Sequence, residues 1–310
     1  MENQETPKPS FATTIKALLH GWKPQDLRDA PSSQALQLMA NHTKDKLHEQ
    51  ALGENETYDE GFKKGSTDSL TGLPLRHIFE RDLAEKIKNG LSLKLVIVDI
   101  DYLAFWNLSR FGGHAGGDNI IKQTVAILKA TGAQAYRLGG EEFGLIFKEG
   151  QASSKMEEAA RQVKEIEVED TNIRPGIAFG IATLQEAEEI VNQLSEQGPS
   201  EEQKITALKQ VLHLLADYRC LANKITARLL LLASLPEEEQ PDFFAAATKG
   251  LEGLDYKQLR NLPAEAREQK AKEMVREHFE EILAKETDPL RRQVLNKIIA
   301  ELNSQTETQN

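Results

Sequence analysis

Tyr136-Arg137-Leu138-Gly139-Gly140-Glu141-Glu142-Phe143 is the stretch on which the reading of this chain turns. The runs on either side, Ala133 to Leu138 and Phe143 to Phe147, are apolar and strand-like. Two glycines between such runs predict a tight hairpin turn. Two carboxylates stand at the mouth of that turn. Glycine lets a ligand approach the backbone closely, and adjacent acids attract a divalent cation with its phosphates. Outward from the hairpin, the apolar run Leu93 to Val98 predicts another strand, ended by a second acidic pair, Asp99 and Asp101. The two pairs together point to metal-assisted phosphoryl chemistry on a nucleotide.

The elements around these strands alternate. Helices are predicted from about Leu75 to Lys88, briefly after Asp101, from Ala115 to Lys129 and from Ser153 to Ile166. A strand is predicted near Arg174 to Thr183. Pro199-Ser200 opens a long helix that continues to Leu232. The order α-β-α-α-β-β-α-β-α implies an α+β fold, an antiparallel sheet with helices on one side. Before it, Phe11, Ile15, Leu18, Leu19 and Trp22 share one helical face, and Ser33 to Leu52 forms a second helical stretch with a rough heptad. After it, helical patterns lie near 240–250, 263–285 and 288–302, the last opened by Asp288-Pro289.

The chain has 310 residues, enough for one catalytic domain plus appendages. Its formal charge of −11 argues against a general nucleic-acid surface, so a nucleotide needs a local cationic pocket. The single cysteine, Cys220, excludes an intramolecular disulfide and fits a reducing compartment. No stretch approaches the roughly 20 apolar residues of a membrane span. The sequence Met1-Glu2-Asn3-Gln4-Glu5 has neither part of a signal peptide, so a cytoplasmic protein is expected.

The segment from about 66 to 228 resembles the GGDEF domain of diguanylate cyclases, a bacterial second-messenger family, in its GGEEF spelling. The opening signature DxLTGLPNR stands as Asp68-Ser69-Leu70-Thr71-Gly72-Leu73-Pro74-Leu75-Arg76. The strand and metal block is Val96-Ile97-Val98-Asp99-Ile100-Asp101. The base-binding stretch runs from Asn107 through Gly113-His114-Ala115-Gly116-Gly117-Asp118, and RxGGEEF is intact at 137–143. The resemblance implies a ferredoxin-like palm, shared with nucleotide cyclases and polymerases. Around it lie an N-terminal helical region (1–65), a C-terminal helical subdomain (229–302) and a polar tail (303–310).

The resemblance also implies roles. Asp99, the carbonyl of Ile100, and Glu141 would hold Mg²⁺ or Mn²⁺. Glu142 would act as a base or only shape the turn. Asn107, His114 and Asp118 match guanine-binding positions, and Gly139 and Gly140 would admit the GTP. Lys224 and Arg228, at i and i+4 on one helix face, match the family's phosphate ligands.

Several residues depart from the pattern. Ala104 stands where the family places a lysine thought to stabilise transition-state charge. Leu75 replaces the asparagine of the opening signature. Two extra residues, with Gly112-Gly113, precede His114. The inhibitory product site RxxD is replaced by Ala130-Thr131-Gly132-Ala133.

The expected function is condensation of two GTP into cyclic di-GMP plus pyrophosphate across a homodimer, through 3′-hydroxyl attack. The alternative is a catalytically degenerate domain that acts as a nucleotide-binding or protein-interaction scaffold. The N- or C-terminal helices are candidate contacts for a protein partner.

Overall fold

The computed structural model describes residues 65–148, 150–169, 171–194, 200–236, 241–249, 251 and 253–307. The chain divides into two units, residues 1–65 and 66–310. The second contains the hairpin and both acidic pairs. The helices expected near Phe11–Trp22 and Ser33–Leu52 lie outside the described residues.

Helix α1 (Arg76–Lys88) leads into β1 (Leu93–Ile100). A short α2 (Leu103–Trp106) and a 3-10 turn (Ser109–Phe111) then precede α3 (His114–Ala130). The hairpin strands are β2 (Gln134–Arg137) and β3 (Glu142–Lys148). They are followed by α4 (Ala152–Lys164), β4 (Ile177–Thr183), α5 (Leu184–Leu194) and α6 (Glu201–Ser234). The four strands form one sheet in the order β2-β3-β1-β4. Every neighbour is antiparallel. This is the α+β fold with an antiparallel sheet that the alternation predicts, and the palm that the resemblance implies. Strand β1 is central, so Asp99 at its end lies between Glu142 of β3 and Ala178 of β4.

The expectation of helices on one side is corrected. Ile97, Gly144 and Gly180 are cross-strand partners and share one face. A Cβ on Gly180 would stand 2.0 Å from the Ala216 carbonyl of α6, and one on Gly144 3.1 Å from Phe79 of α1. That face therefore carries α1 and α6. Val96, Val98, Phe143 and Leu145 point the other way and are also buried. Helices α3 and α4 pack on each other and on β2 and β4 respectively. The near-continuous apolar runs of β1 and β3 are the mark of strands covered on both faces.

One helix has no counterpart in the sequence expectation. Helix α5 starts directly after β4, and Thr183 and Glu186 form its cap. The Thr183 amide donates to Glu186 Oε2 at 2.8 Å, and the Glu186 amide donates to Thr183 Oγ1 at 3.2 Å. Thr-x-x-Glu ahead of Ala187, Ile190 and Val191 was the available signal.

Beyond residue 228, α6 continues unbroken to Ser234. It is followed by α7 (Pro241–Ala247), a 3-10 turn (Tyr256–Leu259), α8 (Ala264–Lys285) and α9 (Pro289–Glu307). Helices α8 and α9 pack on each other and on α6. Helix α9 extends five residues past the expected end at 302, into the segment expected as a polar tail. Asn303, Ser304, Gln305 and Thr306 are polar, but none of them breaks a helix.

Candidate active site at the ends of the central strands

The site begins with the close approach of α6 to β4. Ala178, Gly180 and Ala182 leave room for the helix backbone, and Gly180 is pressed against the Ala216 carbonyl. Cys220 Sγ donates to the Ala178 carbonyl at 3.4 Å, and Asn223 Nδ2 donates to the Phe179 carbonyl at 2.8 Å. The next residue, Lys224, is thereby delivered to the end of β1. Its Nζ donates to Asp99 Oδ1 at 2.5 Å and lies 3.8 Å from Glu141 Oε1. The Ile100 amide donates to the Glu141 carbonyl at 3.0 Å, which draws the mouth of the hairpin against the end of β1. Asp99, Ile100, Glu141 and Lys224 are thus brought together.

Asp99 and Lys224 are largely shielded, with 13% and 15% of their side-chain surface exposed, whereas Glu141 is 40% exposed. Burial pushes the Asp99 carboxyl up to about 6; Lys224 opposes the rise and the Glu141 charge adds to it. Asp101, unassigned among the sequence-level roles, is almost fully buried. Burial pushes it also to about 6, and Arg228 is the strongest charge opposing the rise. The Asp101 Oδ1 has no hydrogen-bond partner. Its backbone is fixed by the Gly176 carbonyl and by Trp106 Nε1, which donates to the Asp101 carbonyl at 3.2 Å. Tyr102 follows with φ 61°, the one non-glycine among the described residues with positive φ. That backbone costs an L-residue about 1–2 kcal/mol, so its surroundings must hold it.

The hairpin turn is braced by two arginines. Arg137 donates to the Gly139 carbonyl at 3.1 Å, the Gly140 carbonyl at 2.7 Å and Asp68 Oδ1 at 2.6 Å. Arg76 donates to the Leu138 carbonyl at 2.8 Å and to Glu142 Oε2 at 3.3 Å. Glu142 is therefore engaged with Arg76, folded over Gly139. Sequence reasoning quoted Asp68, Arg76 and Arg137 without giving them roles. Their service is to fix the turn that presents Glu141. Leu75, where the family has asparagine, forms a backbone bridge to Arg137.

The remaining candidates form no hydrogen bond or ion pair with the side chains of Asp99 and Glu141. Asn107 closes α2 with its amide oxygen against Gly117, since a Cβ there would stand 2.0 Å from Asn107 Oδ1. His114 is exposed and Asp118 half-buried on the first turns of α3. Ala104 is exposed on α2 and brings no cation. Arg228 does not join Lys224. Its Nη1 donates to the Lys249 carbonyl at 2.8 Å, and its guanidinium lies 5.4 Å from the Tyr102 ring centre.

A family model described as "Diguanylate cyclase, GGDEF domain" matches residues 66–204. That segment is a GGDEF domain. Diguanylate cyclase VdcA of Vibrio cholerae is 35% identical over 122 residues, covering 37% of this chain and 35% of the relative. Cyclic di-GMP phosphodiesterase PdeB of Shewanella oneidensis is 30% identical over 141 residues, covering 42% of this chain and 16% of the relative. The chain thus spans about a third or less of the length of these curated relatives. Among solved structures, the coiled coil and GGDEF domain of DgcB from Caulobacter crescentus, in complex with c-di-GMP, is 23% identical. The match covers 57% of this chain and 92% of that one, with a TM-score of 0.38. The GGDEF domain here is followed by helices α7 to α9, beyond the matched residues. No helix among the described residues is long and apolar enough to cross a membrane.

Proposed function

We propose that this chain works in cyclic di-GMP signalling and condenses two GTP into cyclic di-GMP and pyrophosphate. The observation that carries the reading is the convergence of Asp99 and Glu141, from adjacent strand ends, on one cation, the Lys224 ammonium. The relatives alone do not decide it, because one bears the name of a cyclase and another that of a phosphodiesterase.

The donor set suits Mg²⁺ or Mn²⁺. Asp99, the Ile100 carbonyl and Glu141 offer hard oxygens, and the site already holds positive charge between two carboxylates. Two carboxylates and one carbonyl would leave positions on the ion open for phosphate oxygens. When bound, such an ion supplies neutralisation of the triphosphate and polarisation of the attacking hydroxyl.

The chain's own residues do the rest. Lys224 leaves the carboxylates and takes the charge of the leaving pyrophosphate. Asn107, His114 and Asp118 read the base at the α2–α3 junction. Each 3′-hydroxyl attacks the α-phosphorus of the partner GTP, the bond to the β-phosphate oxygen breaks, and pyrophosphate departs. Two such steps close the ring, so two sites face each other in a homodimer. Glu141 takes the hydroxyl proton, while Glu142, held by Arg76, shapes the turn.

Purified protein incubated with GTP and Mg²⁺, and separately with Mn²⁺, is expected to yield cyclic di-GMP on chromatography, and Glu141→Ala to abolish it. The absence of product with either ion leaves the scaffold reading. Ala104 favours that second reading, because its exposed position supplies no transition-state cation.

A further inference from the structure

The C-terminal extension and the turn after β1 meet in one place. Phe243 of α7 is fully buried. Its ring stands edge-on to Tyr102 at 4.8 Å and to Phe105 at 5.3 Å. Tyr102 carries the left-handed backbone that follows Asp101, a conformation that persists only where neighbours enforce it. The Arg228 guanidinium lies over the Tyr102 ring, and its Nη1 is held by the carbonyl of Lys249, also in the extension. The same extension reaches the base side. Asp242 lies 3.9 Å from Arg110, and Arg110 stacks over Phe105 and Phe111 at 4.9 and 4.8 Å. Phe111 belongs to the turn before Gly112-Gly113, where this chain carries its two extra residues.

The arginine is also unfinished. Its Nε is buried without a hydrogen-bond partner. A dry donor with no acceptor gives up its hydration for nothing, and an incoming acceptor recovers it. Arg228 lies one helical turn beyond Lys224, whose Nζ is on Asp99, and over the ring of Tyr102, the residue after Asp101. An acceptor arriving there faces the carboxylate end of β1.

We infer that the C-terminal extension is part of the nucleotide site, with Phe243 and the Lys249 carbonyl as positioning groups that hold Arg228 ready for a triphosphate oxygen. The inference rests on the nucleotide reading above and adds a component that lies outside the matched GGDEF segment. The extension grips both walls of the site, the loop before α3 and the arginine of α6. A nucleoside without phosphates does not use the second wall.

The test compares α,β-methylene-GTP, which cannot be cleaved at the α-phosphate, with guanosine, using the full chain and NMR or calorimetric titration. Phe243→Ala is expected to weaken the triphosphate analogue about tenfold, the worth of one charge-assisted hydrogen bond. Guanosine affinity should stay within about twofold. Phe243→Leu, which leaves a smaller cavity, is expected to fall between the two and carries the test if the alanine chain does not fold. Equal weakening of both ligands in step with a lower melting temperature, or no weakening of either, overturns the inference. If the unaltered chain binds neither ligand, the nucleotide reading falls. The clamp itself is then decided in the free protein. Solvent exchange of the Arg228 Nε–H, assigned by its loss in Arg228→Lys, must quicken in Phe243→Ala, and unchanged exchange rejects it.

Discussion

Lys224 shows how one side chain can hold a place for something else. Its ammonium sits between Asp99 and Glu141, where a divalent ion would be drawn by the same oxygens. A metal arriving alone must displace it, whereas a metal arriving with a triphosphate offers the ammonium a new partner. Lys224→Met is therefore expected to bind Mn²⁺ without nucleotide about tenfold more tightly than the unaltered chain, the size of one lost competing ion pair in a shielded site. Calorimetry without nucleotide measures it, and equal affinities would show that the lysine does not compete. The sequence placed Lys224 and Arg228 together by their i, i+4 spacing, yet the structure separates their tasks. Four residues advance a helix by about 6 Å, and in that distance α6 passes the end of β1 and reaches Tyr102. Helical spacing says which face two residues share, not what each one meets along it. Asp101 escaped a role for a related reason, since its backbone partner Gly176 and the nearest opposing charge, Arg228, are distant in sequence, and only Trp106 is local.

At the scale of elements, the sheet and hairpin were legible because they rest on local patterns. The apolar run ending at Asp99 and the paired glycines name their own structures. The sidedness of the sheet was not legible from the order of elements, although β1 carried the clue in its lack of alternation. Helix α5 was missed because its cap begins inside the end of β4, so one threonine serves both. The contact of α6 with β4 is the element-level feature on which the site depends. In Gly180→Ala the new methyl would meet the Ala216 carbonyl, which is backbone and cannot swing aside. The substitution is expected to cost about 1–3 kcal/mol in denaturant unfolding. It should also lengthen the Lys224–Asp99 contact, because α6 must back away from the strand end. Stability within error of the unaltered chain would mean that the helix slides without penalty. A crystal structure of the variant with the ion pair intact would sever the link between packing and site.

At the scale of the whole molecule, α6 is common to the palm and to the C-terminal helices, and Arg219 ties them. Its guanidinium donates to the Ile181 carbonyl of β4, to Glu186 of α5 and to Glu301 of α9. Nothing in the local sequence announces this, since the partners lie 38, 33 and 82 residues away. The side chains of Arg219, Glu186 and Glu301 are only 18%, 24% and 33% exposed, so solvent screens them weakly. Arg219→Met would leave Glu186 without its cation and Glu301 with only Lys297, 3.9 Å away. After allowance for the partial exposure, a loss of about 2–3 kcal/mol is expected at neutral pH. The pH dependence follows from Glu186. Burial alone would raise its carboxyl, but hydrogen bonds from Arg219 and Thr183 hold it below the ordinary value of 4.5. A value depressed by folding contributes stability that is fully present above the unfolded value and is lost as pH falls through the folded one. The gap between the unaltered chain and Arg219→Met should therefore be full at neutral pH, begin to close below 4.5 and shrink further as acid protonates Glu186. Urea unfolding of both proteins across that range measures it. A gap that stays constant into acid would assign the stability to the Ile181 contact and to packing of the arginine stem, not to its charge.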